Sequence, residues 1–323
     1  MELGRDVIMF CNFAGSKTCI FKPFKNDLVM KKFVLCAMFF AMMAMPFGAM
    51  ADDDCYMRGD ADGNGKLDID DVTLLINRIL TGYWSTDLTV ETFTVNGVSF
   101  DMMPVEAGTF TMGATPEQGD DATDREKPAH QVTLTKAYHI GATEVTQRLW
   151  LAVMGTNPSE FTGDLDRPVE HMSWNDCQTF ITKLNQITGK TFRMPTEAEW
   201  EFAARGGNFS QGYKYAGSDN VDEVAWYSGN SGNTTHPVGT KMANELGLYD
   251  MSGNVMEWCQ DFYGDFTSEA QTDPTGPESH SNNEHVYHSG CFDYPAHGCR
   301  VSFRYRSSPT YAGSNRLGLR LAL

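Results

Sequence analysis

Residues 95–323 contain only short periodic segments, separated by loops that are rich in glycine, asparagine and serine. Apolar and polar residues alternate within 99–114 and 130–140, which is the period of half-buried strands. Helical spacing occurs in three short stretches between 146 and 207. Such loop content in one long domain predicts an irregular α+β fold, which ions and a rigid aromatic core would steady.

The three helices carry local start and stop signals. Ser173 and Thr196 are predicted N-caps, and Glu199 completes a capping box before the glycines that end the third helix. The charged residues around this helix start are predicted to form buried ion pairs or to cap the helix. They are Arg193, Glu197 and Glu199. The core is predicted to contain four tryptophans, Trp150, Trp174, Trp200 and Trp258.

The N-terminus has the order of a secretory signal peptide. Residues 30–51 combine a basic start, an apolar run over 33–45 that is too short to span a bilayer, and an Ala49-Met50-Ala51 cleavage site. Residues 1–29 precede a good start at Met30, so we interpret them as a mis-annotated upstream extension. The sequence therefore predicts a secreted protein, periplasmic, cell-surface or extracellular, without a membrane span.

The net charge limits the classes of ligand, and the number of cysteines limits the possible disulfide bonds. The net charge of -17 argues against a nucleic-acid ligand. Five cysteines follow the predicted cleavage site, an odd number that leaves at least one thiol unpaired or bridged to another molecule. They are Cys55, Cys177, Cys259, Cys291 and Cys299.

Residues 52–82 are predicted to form a small EF-hand-like calcium-loop and helix module. Oxygen ligands at this spacing suit calcium, and Gly65 stands at the sharp turn of the loop. The predicted ligands are Asp60, Asp62, Asn64, the backbone carbonyl of Lys66, Asp68 and Asp71. The module resembles one dockerin type I repeat, which implies a cohesin-like partner, although dockerins usually carry two repeats. Residues 83–94 are predicted to be a linker, and 95–323 the main domain.

Six segments of the main domain resemble the formylglycine-generating enzyme family, also called the sulfatase-modifying factor domain. They occur in the family's order over about residues 100–323: PVEAGTFTMGA, EKPAHQVTLTKAYHIGATEVTQRLW, RPVEHMSWNDC, RMPTEAEWEFAARGG, ELGLYDMSGNVMEWCQDFY and LGLRLAL. The resemblance implies a compact domain with little regular secondary structure, related to the C-type lectin fold.

The resemblance also implies a structural calcium ion near the GNVMEW segment. Asn254 and Glu257 would lie one helical turn apart there, and an ordinary helix start is the alternative interpretation. Asn230, Asn233 and Asp250 are weaker candidates for a second ion.

Aerobic members of the family use two C-terminal cysteines, which hold copper(I), to oxidise a sulfatase cysteine to formylglycine. The resemblance places Cys299 on the second of them and Tyr294 on the first, and a phenol cannot replace a thiolate as a copper(I) ligand. Catalysis by Cys299 and Cys291 would therefore require a rebuilt copper site. Two alternatives to a copper site are a Cys291–Cys299 disulfide bond and two cysteines that have no common role. His288 and His297 flank the pair without a metal-binding spacing.

The composition of residues 286–316 differs from that of the remaining domain. The segment lacks Lys, Glu, Gln, Met, Trp, Leu and Ile, and it is rich in Tyr, Ser, Gly, His, Phe and Arg. Random replacement of the adenines in asparagine codons, with a pyrimidine kept at the third base, would give this composition. The pattern resembles the variable proteins of diversity-generating retroelements, and a chance composition is the alternative.

A surface rich in tyrosine, serine and glycine suits ligand binding. The residues predicted to project outward and bind are Tyr287, His288, Cys291, Phe292, Asp293, Tyr294, His297, Phe303, Tyr305 and Tyr311. The sequence therefore favours a non-catalytic protein that binds an unidentified protein or glycan. The alternatives are a copper-dependent formylglycine-generating oxidase and a polysaccharide-utilisation component recruited through the calcium module.

Overall fold

The computed structural model describes residues 89–312 and 314–323. The predicted upstream extension, the signal peptide, the calcium module with its ligands at 60–71 and the first part of the linker lie outside the described residues. Within the described residues, no helix combines the length and the apolar character that crossing a bilayer requires.

The described residues form an α+β domain with short elements, as predicted. The strands are β1 (Glu91–Val95), β2 (Val98–Val105), β3 (Gly108–Met112), β4 (His130–Leu134), β5 (Tyr138–Gly141), β6 (Ala225–Trp226), β7 (Ser252–Gly253), β8 (Met256–Phe262), β9 (Gln271–Thr272), β10 (His285–His288), β11 (Arg304–Ser307) and β12 (Leu317–Gly318). The α-helices are α1 (Gln147–Met154), α2 (Trp174–Thr188), α3 (Glu197–Ala204) and α4 (Val221–Val224).

The predicted helix starts are confirmed. The side chains of Ser173 and Thr196 accept hydrogen bonds from the third residue of their helices, and each start closes a capping box. Glu199 serves as both cap and ion-pair partner, because it also accepts from Arg193 at 2.6 Å. Helix α2 is followed by Gly189, whose left-handed φ of 68° favours glycine.

The domain begins earlier than the predicted boundary at residue 95. Strand β1 begins within the predicted linker at Glu91, continues to Val95 and pairs antiparallel with β2 over this whole length. Strands β1, β2 and β5 form one sheet, and β3, β4 and β9 form another.

The sheet β11-β10-β8-β12 separates two hydrophobic clusters. Trp258 packs on one side with Trp150 of α1 and Phe180 of α2. The next residue of β8, Cys259, packs on the other side with Trp200 of α3, because successive side chains of a strand point to opposite faces. Trp150, Trp200 and Trp258 are core residues as predicted, whereas Trp174 is only half-buried.

One predicted element is wrong. The GNVMEW segment at 253–258 was expected to place Asn254 and Glu257 one helical turn apart, but it lies in strands β7 and β8 and in the two-residue connection between them. The strands are favoured because β8 lies between β10 and β12 and pairs with both, a tertiary context that overrides the local pattern.

Candidate functional site

Four tyrosines of the C-terminal segment lie together on one part of the molecule. We call Tyr287, Tyr294, Tyr305 and Tyr311 the tyrosine surface. Tyr305 and Tyr311 are 37% and 46% exposed, and the other two are half-buried. Burial raises the pKa of Tyr287, and the three neighbouring phenols raise it further.

Strand pairing positions these rings. Tyr287 of β10 is directly opposite Tyr305 of β11 and Trp258 of β8. Its ring centroid lies 5.8 Å from that of Tyr305 and meets the buried Trp258 ring edge-on at 5.6 Å. The hydrophobic core therefore holds one side of the tyrosine surface in place.

The second part of the surface comes from the loop after β10. The Tyr294 ring lies 5.7 Å from His297 and 5.5 Å from Phe303. Its carbonyl accepts a hydrogen bond from the backbone of Ser228 at 3.0 Å, so the loop is tied to the scaffold. Asp293 lies beside it and pairs with Arg316 at 2.6 Å.

The prediction that all ten candidate binding residues project outward is wrong for four of them. His288, Cys291, Phe292 and Phe303 are at most 5% exposed. Phe292 packs edge-on against Phe161 with the ring centroids 5.0 Å apart, and the other three also pack inside the domain. The alternation of β10 buries His288, the turn at 289–299 buries Cys291 and Phe292, and Phe303 packs against Tyr294 just before β11. None of this is visible in the composition.

His288 belongs to a structural network and not to a surface. Its Nε2 lies 3.1 Å from Glu197 Oε1, and its ring stacks on Trp200 at 4.7 Å. Glu197 also accepts from Arg304 Nη2 at 2.9 Å. Burial opposes the ionised form of Glu197, but Arg304 and His288 hold the pKa of this carboxyl at about 2.

Three buried arginines near the C-terminus, two within 286–316 and one after it, join this part of the chain to distant residues. Arg300 pairs with Glu126 at 2.6 Å, Arg304 with Glu197, and Arg320 with Glu257 at 2.7 Å. Each guanidinium binds both carboxylate oxygens of its partner. Paired buried charges of this kind fix register more than they add stability. Three buried ion pairs therefore fix the backbone that carries the exposed tyrosines.

The two C-terminal cysteines are buried free thiols. The Cys291 thiol donates to Asp293 Oδ1 at 3.1 Å, and burial raises its pKa well above the usual range, with Asp293 adding to the effect. Burial raises the pKa of the Cys299 thiol to about 12. No disulfide joins them in this structure. With Tyr294 at the family's first cysteine position and the Cys291 thiol hydrogen-bonded to Asp293, the described residues do not present the family's two-thiolate copper(I) site.

The predicted calcium ligands Asn254 and Glu257 are already engaged. Asn254 Oδ1 accepts from the backbone of His236 at 2.9 Å. The Glu257 oxygens accept from Trp200 and from Arg320. Among the described residues, no three His, Cys, Asp or Glu side chains are grouped as a metal site. The pair does not fit an ion as it stands.

Asp250 differs from the predicted pair. Its Oδ2 accepts from the backbone of Gly239 at 2.7 Å, but its buried Oδ1 has no partner. Burial raises the pKa of Asp250 to about 6. Burial also raises the pKa of Glu144 well above its usual range, and the charge of Asp250 contributes to that shift. Of the weaker ion candidates, Asn230 binds its own turn through both amide atoms.

Sequence reasoning missed one residue near the surface. The guanidinium of Arg125 lies 4.5 Å from the Tyr305 ring centroid. Arg125 belongs to a short 3₁₀ turn, Asp124–Glu126, far from the C-terminal segment in the chain. No local pattern identifies such a contact, because it depends on the packing of this turn against β11.

Comparison with known proteins places this geometry in a family. A sequence model described as "Sulfatase-modifying factor enzyme 1-like domain" matches residues 89–323. The chain is 37% identical to the chaperone protein LppX of Paenibacillus barcinonensis over 216 residues, which cover 51% of this chain and 73% of that protein. It is 33% identical to the formylglycine-generating enzyme of Streptomyces coelicolor over 199 residues, 54% of this chain and 60% of the enzyme.

A solved structure is also similar. Treponema denticola variable protein 1 superimposes with a TM-score of 0.66 at 34% sequence identity, covering 72% of this chain and 98% of that chain. The predicted formylglycine-generating-enzyme-like fold and the resemblance to variable proteins are both confirmed by these matches.

Proposed function

Because the chain belongs to the sulfatase-modifying factor enzyme 1-like domain family, we propose that it is a secreted, non-catalytic member that binds a ligand through the tyrosine surface. One observation carries the proposal: this segment exposes aromatic rings and buries its sulfur atoms. Tyrosine offers a large amphipathic contact area at low cost in conformational entropy, which suits recognition. The signal peptide predicted at residues 30–51 supports secretion.

The buried ion pairs beneath the tyrosine surface support the same proposal. Buried arginines hold the strand and loops beneath the rings, so exposed side chains can vary without loss of the fold. The likeness to a variable protein favours diversification of the segment 286–316 by a retroelement. This part is tested by reading the codons of 286–316 and searching the neighbouring DNA for an adenine-rich near-copy beside a reverse transcriptase. Absence of both contradicts diversification.

Binding itself is tested on arrays of purified extracellular proteins and glycans. We compare the wild-type chain with a variant that carries Tyr294→Ser, Tyr305→Ser and Tyr311→Ser. We expect at least one wild-type interaction to disappear in the variant while its circular dichroism spectrum shows that the fold is retained. Interactions that survive the triple substitution would place binding elsewhere and contradict the proposal.

The formylglycine-generating activity of the Streptomyces coelicolor relative favours a second candidate function. It is tested by incubating the purified protein with copper(I), oxygen and a sulfatase-motif peptide, and by measuring aldehyde formation. Cys299→Ser is the matched control. Aldehyde that forms with the wild type and disappears with this variant would replace the binding proposal by a catalytic one.

We also propose calcium as the cofactor of this chain. The loop at 60–71 has the ligand spacing of a calcium site. Within the domain, Asp250 would hold an ion, because a buried carboxylate oxygen without a hydrogen-bond partner is costly unless it is protonated or binds a cation. A cohesin-like partner of the 52–82 module is tested by adding a purified cohesin with and without calcium.

A further inference from the structure

The Arg125 side chain differs from the other arginines around the tyrosine surface. It is exposed, its guanidinium lies over the ring of exposed Tyr305, and no ion pair joins it to another of the described residues. Arg306 pairs with Glu284 at 2.9 Å, and Arg316 pairs with Asp293. Arg125 is thus a planar cation, stacked on an aromatic ring, whose hydrogen-bond donors face no carboxylate.

The fold fixes the backbone that carries this guanidinium. The next residue, Glu126, binds the buried Arg300 through both oxygens, at 2.6 and 2.8 Å. The carbonyl of Arg125 itself accepts from Arg304 Nη1 at 2.9 Å. Two arginines of the C-terminal segment therefore fix the backbone that carries Arg125. Such fixation lowers the entropy lost when a ligand binds.

Most charged groups around the tyrosine surface are paired. Arg306 and Arg316 form ion pairs with Glu284 and Asp293, whereas Arg125 forms none with the described residues. The chain has a net charge of -17. On an acidic protein, an unpaired guanidinium beside aromatic rings is a place where an anionic group of a ligand is attracted.

Strand β11 indicates what kind of anionic ligand fits. It is the terminal strand of the order β11-β10-β8-β12, and no other described strand pairs with its outer side. It carries Tyr305 and Arg306. An extended polypeptide can add to such an edge through main-chain hydrogen bonds, whereas a polysaccharide has no matching ladder of donors and acceptors.

We propose that the tyrosine surface binds an extended, acidic polypeptide segment, which lies along β11 and places a carboxylate on the Arg125 guanidinium. This inference rests on the proposed ligand-binding function and adds the class of ligand. Arg125 acts as a specificity-determining residue, because a bidentate guanidinium–carboxylate pair above an aromatic ring selects a planar anion.

The test measures binding of a fluorescent oligoglutamate peptide to the full chain by fluorescence anisotropy, at low and at high salt. We expect the wild type to bind it, and Arg125→Ala to weaken binding about tenfold, as for an interface hot spot. Arg125→Lys keeps the charge and loses the planar fork, so we expect an intermediate affinity. Lys127→Ala removes the same charge two residues away, and we expect less than about a fivefold loss.

Three further probes complete the design. Oligolysine should not bind. An oligoglutamate with alternate N-methylated amides keeps its carboxylates but loses backbone donors, so we expect weaker binding if it adds to β11. Polygalacturonate, an acidic polysaccharide, should not compete with oligoglutamate. Circular dichroism and the thermal midpoint of each variant establish that the fold is retained.

Several results would overturn the inference. They are no binding of oligoglutamate, equal losses with Arg125→Ala and Lys127→Ala, unchanged binding of the N-methylated peptide, or tight binding of polygalacturonate in place of the peptide. Each of these leaves the proposed function standing if array binding still depends on the tyrosines. Loss of all tyrosine-dependent array binding would instead remove the proposed function itself.

Discussion

Arg304 and Tyr305 are neighbours in β11, yet the first is 1% exposed and the second 37% exposed. The strand points Arg304 inward to Glu197 and Tyr305 outward, beneath the guanidinium of Arg125. One strand thus supplies both an anchor and a ring of the tyrosine surface. We therefore expect substitutions of inward-facing residues to lower stability and substitutions of outward-facing residues to affect binding.

Removing the anchor should destabilise the domain. Arg304→Ala leaves the buried Glu197 carboxylate without its guanidinium partner, so we expect a loss of about 3–5 kcal/mol in the free energy of unfolding. Arg306→Ala is the matched control on the same strand. Its side chain is 36% exposed and its ion pair is superficial, so we expect a loss below about 1 kcal/mol. Denaturant unfolding measures both, and equal losses would contradict the division of roles.

Phe303 and Tyr311 should also respond differently to the same substitution. Phe303 is 5% exposed and Tyr311 is 46% exposed. We expect Phe303→Ser to lower the free energy of unfolding by about 3 kcal/mol or more, because it leaves a cavity and buries a hydroxyl. Tyr311→Ser should change it by less than about 0.5 kcal/mol. A stable Phe303→Ser variant would show that this ring belongs to the variable surface after all.

The thiols of Cys291 and Cys299 should be unreactive in the folded protein. Burial raises both pKa values, so little thiolate forms at mildly alkaline pH. We expect iodoacetamide to leave both residues unlabelled in the folded chain and to label both in denaturant without a reductant, as mapped by peptide mass spectrometry. Residues that resist labelling in denaturant would indicate a Cys291–Cys299 disulfide bond. Rapid labelling of the folded chain would indicate accessible thiolates.

Glu170 should make the domain less stable as the pH rises. Its buried carboxyl has one oxygen without a partner, and burial raises its pKa to about 7 from 4.5. Between these values the folded chain keeps a proton that the unfolded chain has released, so the free energy of unfolding falls with rising pH. The full effect is on the order of 2–3 kcal/mol.

Glu170→Gln should remove this part of the pH dependence, measured as the difference between the unfolding curves of variant and wild type. The exposed Glu269→Gln is the control and should leave the curve unchanged. A variant that keeps the wild-type slope between those pH values would show that Glu170 is ionised in the folded chain.

Calcium should stabilise the chain at two separable places. We expect a chelator to lower the thermal midpoint and added calcium to restore it. Calorimetric titration should lose one class of sites with Asp60→Ala and another with Asp250→Asn. If Asp250→Asn retains the full calcium response of the domain, the unpartnered Oδ1 is not a ligand.

Local signals in the chain were sufficient for much of the fold. Ser173 and Thr196 start their helices as predicted because an N-cap is satisfied within its own first turn. The alternation in 99–114 and 130–140 predicted strands there for the same local reason, and these two segments contain most of β2, β3, β4 and β5. The prediction of a helical turn around Asn254 was wrong because the pairing of β8 with β10 and β12 decides the conformation there.

The sequence by itself determined the family, the α+β class and the segment that carries the tyrosines. Composition could not separate Tyr305 from Phe303, because exposure depends on which face a strand turns to the core. Only the tertiary structure decided that, and it also brought Arg125 to β11, whose residue Arg304 lies 179 positions away in the chain. Contacts over such distances depend on how all the elements pack together, and no local pattern of residues encodes them.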